Sequence, residues 1–389
     1  MSKKIRSAIS HGTVFIGCGF AAKYPEGGGN FSVPLQYACG LKRLGLPFRW
    51  LELMPACGNP DEDARRIRVF ARRMGHHGLG EHYALLLNKG PEFEPSWDTL
   101  EIHGVPRRRL LEEIRSGTIL NLSYSIRPPL LLDFPRRLFI NADPSEIGYY
   151  MQTFELGQSH HHEFWTLALN IHNPDCRLPD VGIRWKTFFP LVDTTRIQPQ
   201  PAPARIKFTT VGQWYWLGHI AIDGVAADYS KKARFEPYMD LPRLVPEADF
   251  EMAMNMGRED PEVVRIRSRG WKLVFPHSVA GSPQKYVRYL SEAGAEFTPV
   301  KVDDVFRTGW LSDRAAVFLA LGRPVVTVST GAESFLPAES GFLFINDLPS
   351  AVEAARKVAR DWPRLSRAAR ATAVEHFDAG RNLRKILAG

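Results

Sequence analysis

Gly309-Trp310-Leu311-Ser312-Asp313-Arg314-Ala315-Ala316-Val317-Phe318-Leu319-Ala320-Leu321-Gly322-Arg323-Pro324-Val325-Val326-Thr327-Val328-Ser329-Thr330-Gly331 is the stretch whose reading decides the fold. Ser312 and Asp313 read as an N-cap, Ala315 to Leu321 as a buried helix, and Gly322 as its stop. Arg323-Pro324 then turns the chain into a β-branched strand, Val325 to Val328. A helix feeding a buried strand is the repeating unit of a parallel sheet, in which ligands sit outside the carboxyl ends of the strands. There, helix N-termini offer unpaired N–H groups and a positive dipole end. Ser312 to Arg314 and Ser329 to Gly331 both fall on such ends. An arginine in the first helical turn opposes the dipole unless an anion offsets it, so Arg314 reads as a phosphate partner. The competing reading is a solvent-facing arginine on an ordinary helix.

Outward from this block the helix–strand alternation continues. Upstream come strands Ile206 to Val211 and Phe250 to Asn255, helix Pro261 to Arg269, strand Leu273 to Pro276 and helix Ser282 to Ala293. Downstream, Pro349 to Arg360 and Pro363 to His376 read as amphipathic helices, and Leu383 to Leu387 closes the chain. The run Gln198-Pro199-Gln200-Pro201-Ala202-Pro203 favours extended polyproline conformation and marks a semi-rigid connector. It divides the 389 residues into an N-terminal domain at 1–195, a linker at 196–204 and a C-terminal domain at 205–389. The N-terminal half repeats the logic: strand Thr13 to Cys18, a loop with Gly27-Gly28-Gly29-Asn30, a helix from about Val33 to Leu44 capped by Ser32, and strand Phe48 to Leu53. This is an α/β chain with a doubly wound, Rossmann-like sheet in each half. It is not a dinucleotide fingerprint, because Gly17, Gly19 and Gly27 to Gly29 do not make G-x-G-x-x-G.

Composition bounds the class. With 44% hydrophobic and 24% charged residues the chain reads as globular, and no apolar run approaches the roughly 18 residues that span a bilayer. The basic start Met1 to Arg6 is followed by a short, glycine-containing apolar segment, so no signal peptide and a cytoplasmic location are expected. Cys18, Cys39, Cys57 and Cys176 are widely spaced, which suits a reducing compartment and argues against a zinc site. The net charge of +8 gathers in Arg65, Arg66, Arg68, Arg72 and Arg73, in Arg107 to Arg109, and in Arg265, Arg267 and Arg269. It admits a nucleic acid such as DNA, or an anionic membrane face, as a polyanionic partner, against the plainer reading of solvated helix faces.

Several residues carry candidate chemistry. Gly28, Gly29 and Asn30 allow close backbone approach and are expected to face the interdomain cleft. Asp143 ends a strand, where a carboxylate can grip a hydroxyl, although Asp-Pro is also an everyday helix start. His160, His161 and His162 project to different sides of any regular backbone and cannot easily converge on one ion, so no metal is expected. A single histidine acting as a general base is the better reading of this run. Gly212 and Gln213 follow the first strand of the second half, and His277 and Lys301 stand where they can reach a nucleotide.

Gly309-Trp310, Ser312-Asp313-Arg314, Leu319-Ala320, Gly322-Arg323-Pro324-Val325-Val326 and Thr330-Gly331 resemble the donor-site block of bacterial glycosyltransferases with the GT-B fold. The resemblance extends through Leu35-Gln36-Tyr37, Gly40-Leu41, Arg43-Leu44-Gly45, Asp143-Pro144, His162, Thr166, Cys176, Pro179, Gly182, Trp185, Thr209-Thr210-Val211 and Trp214. It implies two Rossmann-like domains facing across a cleft, a nucleotide sugar, expected to be a UDP-sugar, on the C-terminal domain, and a hydroxyl acceptor on the N-terminal domain. His162 is the histidine of its run that matches the family pattern. Sugar transfer needs a stabilised departing diphosphate, which suits Arg314, the Ser312 helix N-terminus and the Thr330-Gly331 loop without a metal. It also needs a base from the first domain, for which His162, Glu163 and Asp143 are the candidates. Many retaining relatives carry two glutamates seven residues apart, whose nearest equivalents here are Gly309 and Val317. That departure favours inversion and leaves the ribose contact to Asp313 or Glu333. A small molecule, an envelope glycan and a hydroxymethylated DNA base stay open as acceptors. The alternative is a GT-B protein that does not transfer, either a nucleotide-sugar epimerase or an inactive binder.

Overall fold

The computed structural model describes residues 12–389 apart from Leu217 and Asp223; the basic Met1 to Arg6 stretch, part of the basis for expecting no signal peptide, lies outside the described residues. Among the described residues the first half builds one sheet from β1 (Val14–Cys18), β2 (Phe48–Pro55), β3 (Tyr83–Asn88), β4 (Leu100–Gly104), β5 (Thr118–Leu122), β6 (Arg136–Asn141), β7 (Glu163–Thr166) and β8 (Trp185–Thr187). Its order is β4-β3-β2-β1-β5-β6-β7-β8, parallel except for the β3–β4 edge pair. The second half contributes β9 (Lys207–Gln213), an antiparallel hairpin of β10 (His219–Ile222) and β11 (Val225–Asp228), then β12 (Asp249–Asn255), β13 (Lys272–Val274), β14 (Ala295–Thr298), β15 (Val325–Val328) and β16 (Phe342–Ile345). The second sheet runs β13-β12-β9-β14-β15-β16. In both sheets the order reverses beside the first strand of the half, which is the doubly wound arrangement.

The strands form where apolar runs are buried on both faces. Every residue of β1, β3 and β15 is buried, the pattern of a sheet covered by helices on each side. The Asp313–Ala320 helix begins at its Ser312 cap, and β15 occupies the expected Val325–Val328.

Two expectations are corrected. The first helix starts at Gly28, five residues before Val33, and runs to Arg43 with Gly27 as its N-cap. Glycines disfavour helix interiors, but here they make the N-terminus thin enough to dock. A Cβ on Gly28 would lie 2.3 Å from the Ala280 carbonyl oxygen and 2.4 Å from that of Ser282, both in the second half. The two C-terminal helices are one kinked helix, Leu348–Thr372, with non-helical geometry at Asp361 two residues before Pro363, followed by a π-turn at Ala373–Phe377. Proline clashes with the preceding turn, so the kink falls there.

The halves also exchange packing. The last helix, Ala379–Ala388, crosses back onto the Gly28–Arg43 helix and adds Leu383, Ile386 and Leu387 to the core of the first sheet. Ile220, Ile222 and Tyr229, from the hairpin and just after it, pack into a cluster of first-half residues. Gly40 is the point of closest approach: a Cβ there would stand 2.5 Å from Leu383 Cδ1 and 3.0 Å from Ala379 Cβ. Gly40→Val is therefore expected to overpack this seam and cost about 1 to 3 kcal/mol. A urea midpoint lowered at unchanged slope checks it; an unmoved midpoint would mean that the last helix is not seated against Gly40.

Candidate active site

A cleft of about 690 Å³ opens between the carboxyl ends of the two sheets, within the ordinary size range of small-molecule sites. Gly28, Gly29, Asn30 and Asp143 line it from the first half, and Gly212, Gln213, His277, Lys301, Trp310, Ser312, Asp313 and Arg314 from the second. Two helix N-termini therefore reach one cavity: the Gly28–Arg43 helix on one wall and the Asp313–Ala320 helix on the other. Their first-turn N–H groups and positive dipole ends suit an anion between them.

Arg314 sits at the point where the second sheet reverses. Its Nε donates to Glu296, Nη1 donates to the Val211 carbonyl at 2.7 Å, and Nη2 donates to Thr298 Oγ1 at 2.9 Å. Val211 belongs to β9 and the other two to β14, so the guanidinium spans the switch point. The anion expected opposite Arg314 is thus supplied by the chain itself: Glu296, fully buried. Burial works against the Arg314 charge, but Glu296 beside it, together with Tyr286 and Asp313, outweighs that cost and raises its pKa. Burial also raises the Glu296 carboxyl, whose second oxygen has no partner among the described residues. Three of the five guanidinium N–H donors are committed, leaving two for a ligand. Buried Lys231, close by, is pushed well below the usual lysine range by burial and then by Arg314.

Asp143 is the N-cap of the Pro144–Met151 helix, yet its side chain makes no capping hydrogen bond. The carboxylate turns instead toward the second half. Tyr229 donates its hydroxyl to Oδ1 at 2.8 Å, and Lys301 Nζ stands 3.0 Å from Oδ2. Lys301 also lies 3.5 Å from Glu146, which accepts the Trp216 indole N–H at 3.1 Å. Burial lowers Lys301 but Asp143 and Glu146 outweigh it, so its pKa rises. Across the cleft, Asp313 is pushed up to about 7, first by burial and then by the Asp143 charge.

The other expected residues divide plainly. Ser312 Oγ accepts the Ala315 N–H at 3.0 Å, as a cap should. Gln213 accepts from Asn255 Nδ2 at 2.8 Å, joining the ends of β9 and β12. Trp310 donates its indole N–H to the Ala142 carbonyl at 3.0 Å and so ties the loop before the Asp313–Ala320 helix to the Asp143 loop. Thr330 and Gly331 do not line the cleft. Thr330 Oγ1 donates to the Trp310 carbonyl at 3.0 Å, and Gly331 faces Asn170 of the first half, so this loop braces Trp310. Glu333 also lies outside, accepting from Ser329.

His162 and Glu163 are displaced from the site for a topological reason. β6 and β7 are parallel, and Asp143 follows the carboxyl end of β6 whereas His162 and Glu163 stand at the amino end of β7. Residues at opposite ends of one parallel sheet cannot serve one cleft. His162 is engaged by Arg137 through both ring nitrogens, and Glu163 is paired with Arg136 and Lys186. The adjacent His161 is buried, receives Asn121 Nδ2 at 3.0 Å, and is lowered to about 4, chiefly by burial. Among the described residues no group of three or more His, Cys, Asp or Glu side chains is arranged to hold a metal ion. Sequence reasoning missed Glu296, Tyr229 and the cleft-lining aromatics Tyr24 and Trp216. The Trp214-Tyr215-Trp216 run directly after Gln213 was the available signal for the last.

No protein-family profile matches the sequence, and no curated protein does. Solved structures do match. An alpha-glucosyltransferase in complex with UDP and a 13-mer DNA containing an HMU base superposes with a TM-score of 0.57 at 11% identity, over 97% of this chain and 100% of that one. Anabaena Alr3699/HepE in complex with UDP-glucose gives 0.54 at 10% identity, over 97% and 98%. An E. coli trehalose-6-phosphate protein bound with UDP-2-fluoro glucose gives 0.52 at 12% identity, over 97% and 99%. This chain has the GT-B fold. The expected architecture of two Rossmann-like sheets across a cleft therefore holds, and no helix among the described residues is long and apolar enough to cross a membrane.

In this GT-B cleft the raised Asp313 carboxyl has a stability consequence. A carboxyl whose folded pKa exceeds its unfolded value favours folding below the unfolded pKa, and that contribution is lost as pH rises through the folded one. The Asp313 contribution to the unfolding free energy is expected to fall between pH 3.8 and about 7, so native minus Asp313→Asn stability should decline over that range. In Asp143→Asn, the Asp313 carboxyl followed by ¹³C NMR should titrate lower; an unchanged midpoint would remove Asp143 as its neighbour in charge.

Proposed function

We propose that this chain transfers a sugar from a UDP-sugar to a hydroxyl acceptor in the cleft between its two sheets. The observation that carries the proposal is the convergence of two helix N-termini, at Gly28–Asn30 and Ser312–Arg314, on one cavity at the switch point of the second sheet. Neighbours of the same fold solved with UDP or UDP-glucose support the choice of nucleotide.

Displacement at the anomeric carbon passes through an oxocarbenium-like state and releases a diphosphate. The first-turn N–H groups of both helices and the two uncommitted donors of Arg314 take up that developing charge, so the step needs no metal. The acceptor hydroxyl must lose its proton as the new bond forms, and Asp143 is the cleft carboxylate on the first-half wall. Each carboxylate oxygen has two lone-pair sites, so Asp143 can accept that proton while still bound by Tyr229 and Lys301. A base facing the departing diphosphate across the sugar gives in-line displacement, which inverts the anomeric centre. The proposed domain division is at 196–204, between a half that presents the acceptor and a half that holds the donor.

Calorimetry with UDP tests the donor site, and its failure to bind would overturn the reading. Because Arg314→Ala would strand a buried carboxylate, the informative variant is Arg314→Gln with Glu296→Gln. It should weaken UDP by about 1 to 3 kcal/mol, the range for lost charge-assisted hydrogen bonds. Asp143→Asn should lower kcat by about 10² to 10⁴ while UDP binding holds, and His162→Ala should leave turnover near that of the native chain. Full activity in Asp143→Asn would reassign the base. The product's anomeric configuration, read by NMR, should be inverted.

A further inference from the structure

We infer that the acceptor is an uncharged saccharide, stacked at the cleft mouth between Tyr24 and Trp216, and not a nucleic acid. This deepens the transferase reading above and rests on it.

The charge pattern of the walls comes first. Lys23, Arg65, Arg66, Lys301 and Arg314 are the Lys and Arg side chains lining the cleft among the described residues. Each has a carboxylate oxygen within 3.5 Å: Lys23 with Glu92, Arg65 with Glu26, Arg66 with Glu62, Lys301 with Asp143 and Arg314 with Glu296. A phosphate backbone binds where cations lack such partners, because the gain comes from replacing released counterions. Here a polyanion entering the cleft would meet Glu26 on its wall and Glu92 beside Lys23, whose side chains are 46% and 52% exposed. The overall charge of +8 is therefore not presented at the cleft as a free basic track.

The second, independent observation is aromatic. Tyr24 and Trp216 line the cleft, one from each half, yet remain 46% and 47% exposed. Large exposed apolar surface at a cavity mouth marks a contact surface. Trp216 is held in place: its N–H is taken by Glu146 at 3.1 Å, and the Lys301 ammonium lies 5.6 Å from its ring centroid. A fixed ring loses little entropy on binding. Aromatic faces carry partial negative charge, whereas the C–H faces of a pyranose carry partial positive charge and little polarity, so the two stack and shed water together. The carboxylate of Asp143 lines the same cleft, as the acceptor of a proton from a hydroxyl on the stacked ring.

The test offers the full chain maltose, cellobiose, lactose and mannobiose, and in parallel a duplex containing 5-hydroxymethylcytosine. Binding is read by tryptophan fluorescence and saturation-transfer NMR with and without UDP, and transfer by product formation from UDP-glucose. The expected result is a disaccharide response that scarcely changes from roughly 50 to 200 mM salt, since no counterions are released. Tyr24→Ala and Trp216→Ala should each weaken it about fivefold to tenfold, Trp216→Phe should recover most of the loss, and UDP affinity should stay unchanged. UDP binding with no response to any disaccharide, or with disaccharide binding indifferent to both alanine variants, would overturn the saccharide assignment and leave the transferase reading standing. Duplex binding or modification that weakens about 10³-fold over the same salt range would replace the saccharide by nucleic acid. Disaccharide binding without any UDP binding would instead sink the transferase reading and keep the saccharide site.

Discussion

Arg314 and Glu296 form a buried ion pair that spans β9 and β14, and the second-half wall of the cleft is built around it. An ion pair in such a place gains little net stability, because each group gives up hydration that the partner only partly replaces. What it does impose is position. The guanidinium cannot move without stranding a fully buried carboxylate, so the first turn of the Asp313–Ala320 helix is fixed where the second sheet reverses. From that constraint follow the location of the Ser312 cap, the exposure of the first-turn N–H groups and the approach of Asp313 to Asp143.

The opposite wall is fixed by absence of side chain. Gly28 lets a helix N-terminus lie against the backbone of Ala280 and Ser282, an approach any Cβ would block. Trp310, Tyr229 and Lys301 then reach from the second half to the Asp143 loop. The site is a meeting of groups contributed by both halves, and neither half holds it alone. Its electrostatics are balanced: helix dipoles supply positive potential for an anion, while nearly every side-chain charge is answered by a neighbour. That balance suits a small anion, which the N–H groups can surround, better than a large polyanion.

Much of this was legible in the sequence because it is written locally. The Ser312 cap, the Gly322 stop and the β-branched Val325–Val328 run settle a helix and a strand through contacts a few residues apart. Alternation of such units settles the fold class, and a carboxylate directly after a strand, Asp143, is on the cleft because carboxyl ends in a doubly wound sheet always face the ligand side. His162 and Glu163 enter as base candidates through histidine chemistry and the resemblance, without that rule, because β7 goes unseen: a four-residue strand with half-polar composition gives too weak a period to locate its two ends.

What the sequence by itself determined was the principal helices and strands of each half, their largely parallel arrangement and the short list of residues at strand ends. Only the tertiary structure decided which of those residues meet. Val211 lies 103 residues from Arg314 and Lys301 lies 158 from Asp143, so no local pattern records either contact. A charge in sequence is an open question about its partner. Arg314 finds Glu296 and Lys23 finds Glu92 only once each half has folded, and that pairing turns an apparently basic chain into one with a compensated cleft.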